Sequence, residues 1–128
     1  MIMKKITILF LTVWLSITLS GQTKTWKAFD DFHANVSKIL HPVITGNVQP
    51  VKQNSGLLLN KAKAWQASPI PETVDSAVFK PKIAALVNQC SKLNDAVTSK
   101  QKDAVLIKDA NTVHETFHDL LKACKLKD

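Results

Sequence analysis

Apolar residues recur every three or four positions through four separate stretches of this chain, and within those stretches they do not alternate one by one. That period commits each stretch to a helix with one buried face. The first carries Trp26, Phe29, His33, Val36, Leu40 and Val43, widened by Phe32 and Ile39, with Thr25 as its N-cap. Pro42 should kink or end it, because proline lacks a donor and clashes with the preceding turn. Gly46-Asn47 then supplies a stop-and-turn signal. A second helix fits 48–67, with Val51, Ser55, Leu58, Ala62 and Trp65 inward, Leu57 and Leu59 beside them, Pro50 in its first turn and Gly56 in its middle. After the loop SPIPETVDS, a third helix spans 77–100 on Phe79, Ile83, Leu86, Cys90, Leu93 and Val97, with Pro81 tolerable only near its start. The turn SKQKD leads to a fourth helix, 103–125, capped by Asp103. Hairpin dipeptides and tyrosine are absent, so the reading is all-α. Amphipathic helices on short connections make an antiparallel, up-down-up-down four-helix bundle the economical fold.

The start of the chain has a different character. MIMKK precedes ITILFLTVWLSITLS, a basic start and an apolar run that falls short of the about 20 residues a spanning helix needs. Residues 1–21 therefore read as a secretory signal peptide, cut near Ser20, Gly21 and Gln22. Residues 22–128 are one domain, expected in the periplasm or secreted, with no membrane span once the leader is gone.

All seventeen basic residues are lysine. Less the two in the leader, and against ten carboxylates, they leave the mature chain at +5. Bidentate recognition of phosphates and base edges uses arginine, so nucleic acid is an unsuitable partner. The lysines are scattered, as on a solvated surface.

The chemistry concentrates in Ala110–Cys124, ANTVHETFHDLLKAC. Four residues separate His114 from His118, so both imidazoles leave one side of the helix about one turn apart. Ile107, Ala110, Phe117, Leu121 and Cys124 share or border that face, which puts His114 on the stripe that should look inward. At about 1.5 Å rise per residue, His33 lies about 20 Å below the end of the bundle that holds the first and last turns. On the same scale His114 lies at about 17 Å, His118 at about 23 Å and Cys90 at about 17 Å. His41, at about 7 to 8 Å, joins them only if Pro42 shifts the register; otherwise it reads as a helix-end residue on the dipole. Imidazoles ligate zinc, copper, iron and nickel, and a thiolate adds affinity for zinc or copper. The expected site is a transition-metal centre, zinc or copper, on His33, His114 and His118, with Cys90 and His41 as extras. Asp30, Glu115 and Asp119 could orient the rings. The partner is then the metal ion, with a periplasmic protein as a further one. The alternative is a cofactor-free bundle with edge histidines.

His114-Glu115-Thr116-Phe117-His118 also spells HExxH, the zinc-protease motif, with Glu115 as general base. Glu115 points about 100° from the His114 stripe, and the chain ends ten residues past His118, so an enzyme is the less favoured reading. A Cys90–Cys124 bridge would have to span about 15 Å, beyond the about 7 Å limit on Cα separation. Cys90 reads first as a core residue.

With a leader, four amphipathic helices and histidines in the last of them, the chain resembles the four-helix periplasmic cytochromes, of the c-prime type and its b-type relatives. The resemblance covers the mature chain and implies haem and electron transfer. The c-prime family attaches haem through CxxCH in the last helix, whereas FHDLLKACKLKD offers Cys124 alone, so covalent attachment is not supported. The b-type relatives use a methionine in the first helix, and both methionines here, Met1 and Met3, lie in the leader. Haem, the alternative cofactor, would need His33 paired with His114 or His118.

Overall fold

The computed structural model describes residues 26–127. The leader and Thr25 lie outside the described residues. Four helices form: α1 (Lys27–Asn35), prolonged by a π turn (Val36–Leu40) and a 3-10 turn (His41–Thr45); α2 (Gln49–Ala67); α3 (Ser76–Thr98); and α4 (Asp103–Cys124). No strand occurs among the described residues, and none of the helices there is long and apolar enough to cross a membrane.

Side-chain pairs give the directions. The Trp26 indole N–H, at the start of α1, donates to Ser68 Oγ at the end of α2, 2.9 Å away. Ser55, early in α2, donates to Asn94 Oδ1, late in α3, at 2.9 Å. Lys52 and Asp103 pair at 3.0 Å, bringing the starts of α2 and α4 together. Each helix thus runs opposite to its predecessor, and α1 with its π and 3-10 turns closes the ring on α4, through Phe29 and Phe32 against Phe117. The fold is an all-α four-helix bundle, as the periodicity predicts.

Trp65 sits at its centre. The ring is fully buried and lies 5.2 Å from Phe29, 5.6 Å from Phe32, 5.7 Å from Trp26 and Phe79, and 6.1 Å from Phe117. One side chain of α2 therefore touches all three other helices. Such ring pairs contribute about 0.5–1.5 kcal/mol each beyond the area they bury. The Trp65 indole N–H has no acceptor among the described residues.

The predicted stripes of α1, α2 and α3 are buried as expected, apart from half-buried His33 and Val97. Several local expectations are corrected. Leu57 is 44% exposed, turned off the inner face by its place beside Leu58. Asp103 is the first helical residue of α4 and not its cap; its carboxylate engages Lys52 instead. Asp75 caps α3, its carboxylate accepting from the Ala77 N–H at 3.0 Å. Pro81 stands in the second turn of α3, where its exposure leaves the freed carbonyl side toward water. The α4 stripe is Leu106, Ala110, Val113, Phe117, Leu120, Leu121 and Cys124, which leaves His114 and His118 half-buried on its flank and not within the core.

Gly56 and Lys100 are among the positions whose residue suits the local backbone poorly, and each can be tested. Gly56 lies inside α2, where an added Cβ would meet nothing closer than Asn94 Oδ1 at 3.7 Å. Lys100 holds a left-handed φ of 57° after α3, a place that favours glycine. Gly56→Ala should stabilise by about 0.5–1 kcal/mol, and Lys100→Gly should also stabilise, by about 1 kcal/mol. Chemical denaturation of each variant reads these values; a loss of stability in either would contradict the local geometry.

Candidate metal centre on the flank of the last helix

The site begins with the angular positions of side chains on α4. Successive residues turn by about 100°, so His114 and His118 lie about 60° and 100° round the helix from Phe117, on the same side of it. Phe117 is fully buried, 5.3 Å from Phe32 and 6.4 Å from Phe29. Its burial fixes the rotation of α4 and holds both imidazoles at the groove beside α1. Glu115 and Asp119 fall about 160° away from Phe117, and both are exposed.

The two α4 histidines meet each other. Their Nε2 atoms are 3.2 Å apart and their ring centroids 4.5 Å apart, nearly perpendicular at 82°. With both rings neutral, one Nε2–H can donate to the other ring's Nε2. His41 extends the group across to α1, its ring 5.3 Å from that of His114 at 85°. This is the register shift that His41 needed in order to join the group, in a specific form. The turn before the proline widens, and the His41 N–H bonds to the Val36 carbonyl, five residues back. A π turn adds a residue to the helical turn and so re-aims the side chains beyond it. Gly46, at φ 87°, ends the segment, its N–H bonded to the Val43 carbonyl at 2.8 Å.

The other expected ligands are placed differently. His33 is half-buried, stacked on Phe29 at 5.7 Å and 12°, with Phe117 5.8 Å away. Cys90 is in the α3 core stripe, 1% exposed, and burial pushes its thiol up to about 12. Cys124 is also buried and its thiol is raised, by burial first and then by the Asp75 charge, with Lys82 opposing. Both cysteines are free. Among the described residues, no set of three or more His, Cys, Asp or Glu side chains is arranged around a common metal position. What the structure brings together is the chain of rings His41–His114–His118.

Sequence reasoning missed the role of Phe117 as the residue that aims the pair; its place inside HETFH was the available signal. It also missed the polar link from Trp26 through Ser68 to the Trp65 carbonyl, the Ser68 hydroxyl donating to that carbonyl at 2.6 Å. No known family matches the chain, and no curated protein or solved structure is significantly similar to it. The fold and the histidines alone define what it is: an all-α four-helix bundle with paired imidazoles on its last helix.

Cys90 gives the structure a pH signature. Below the ordinary thiol value of 9.0 it is protonated in both folded and unfolded chains and has no effect on the pH dependence. Between 9.0 and about 12 the unfolded chain releases this proton and the native one keeps it. Stability should therefore fall as pH rises through that window, by up to about 1.4 kcal/mol per pH unit from this group. Denaturation curves of wild type and Cys90→Ala across the window should converge as pH rises; curves that stay parallel would contradict a buried neutral thiol.

Proposed function

We propose that this is an exported binding protein that carries an exchangeable transition-metal ion, zinc or copper, on His114 and His118, with His41 closing over it and His33 beside the site. The observation that carries this reading is the 3.2 Å between the two Nε2 atoms. Two imidazole nitrogens bound at about 2.0–2.1 Å to one tetrahedral ion lie about 3.3–3.4 Å apart. The nitrogen spacing is therefore close to that of a pair sharing one ion, the rings turning from their mutual contact so that both lone pairs face it. Rings that share such an ion have centroids about 5 Å apart; His41 stands 5.3 Å from His114, and the His114–His118 pair, at 4.5 Å, would open slightly to take the ion.

A rigid pair with a third donor on a neighbouring turn leaves coordination positions open to solvent or to another protein. That is the donor set of an ion that can be passed on, unlike the closed four-ligand cage of a structural site. An ion also suits the surroundings better than haem. A macrocycle between α1 and α4 would have to displace Phe29, Phe32 and Phe117, which are in ring contact there with one another or with Trp65. Peptide hydrolysis through HExxH has less support, since Glu115 faces solvent on the far side of the helix from Phe117.

Zinc or copper should raise the melting temperature of the untagged protein, because a ligand that binds only the native state stabilises it by mass action. His114→Ala and His118→Ala should each abolish that shift, and His41→Ala should reduce it. Acidification should remove it too, since imidazole must be neutral to ligate. A metal-induced shift that survives the loss of both α4 histidines would contradict the reading.

A further inference from the structure

A second concavity lies where the first turn of α1 meets the end of α2, and no histidine lines it. Its volume is about 440 Å³, within the range of small-molecule sites. Trp26, Ala28, Ala64, Pro69, Ile70 and Pro71 make it largely apolar, and Lys27, Lys61 and Asp31 stand among the residues around it.

The polar atoms of the floor are bonded to one another: the Trp26 indole donates to Ser68 Oγ, and Ser68 donates to the Trp65 carbonyl. The groove thus offers an occupant mainly apolar surface, with the Trp26 indole N–H already bonded. Charge is available only from the ionised side chains. Asp31 is held by Lys27 at 3.1 Å, whereas Lys61 pairs with no carboxylate among the described residues. An apolar body with one anionic end satisfies both the floor and that lysine.

We propose that this groove binds a small amphiphile with a single carboxylate, such as a medium-chain alkyl carboxylate, its chain over Trp26 and Ile70 and its head at Lys61. The proposal is independent of the metal reading, because the two sites share no residue. The test is titration of the full-length mature protein with decanoate, followed by tryptophan fluorescence, with decanol as the uncharged control. Decanoate should produce a saturable change below its micellar concentration, and decanol should bind more weakly. Ala64→Phe, at an exposed helical position, should fill the groove and remove the response to both while leaving the helical circular-dichroism signal intact. Lys61→Glu should weaken decanoate on the order of tenfold and leave decanol unchanged. A non-saturable response, or affinity indifferent to both substitutions, would overturn the proposal.

Discussion

The insertion of Phe117 against Phe29, Phe32 and Trp65 is the contact on which the rest of this structure depends. It closes the aromatic core from the α4 side and sets how α4 is rotated. With Phe117 inward, Ala110, Val113, Leu120, Leu121 and Cys124 all fall within about 60° of the same direction, and all are buried. The same rotation sends the carboxylates of Glu115 and Asp119 into solvent and leaves His114 and His118 on the flank. Packing thus sets the direction of both imidazoles on this helix: a core residue inside the motif aims the two residues of the proposed site.

Pro42 makes the complementary decision on α1. Its missing N–H breaks the ladder there, and the chain widens into a π turn before tightening into a 3-10 turn that ends at Gly46. His41 is carried by this irregular segment and comes within ring contact of His114. The third imidazole therefore sits on the least regular backbone of the bundle, while the pair sits on continuous helix. That difference suits a site in which two donors are fixed and the third adjusts.

Much of the fold was legible in the sequence because helical periodicity is a local signal: stripes such as Val51, Ser55, Leu58, Ala62 and Trp65 repeat at the spacing that buries them. The His114–His118 pair was legible for the same reason, its geometry being internal to one helix. Geometry that crosses between helices was not. Straight-helix heights left His41 about 10 Å from His114 along the axis, since sequence says that proline breaks the ladder but not whether the turn widens or bends. The offset that leaves His114 beside the core also depends on which of several apolar residues leads inward, and Phe117 wins by size. Cys90 was recognisable as core from its stripe, and the groove near Ser68 arises from a loop whose path has no period to read.

The central claim is that the two Nε2 atoms on α4 form a ready-made pair for one metal ion. Long-range nitrogen–proton spectra of the histidine rings, recorded while zinc is added, address it atom by atom. At one equivalent, the Nε2 resonances of His114 and His118 should move together to metal-bound positions. If instead both stay unchanged while zinc gathers on other groups, or if the metal takes only one of the two rings, the account of this site is wrong.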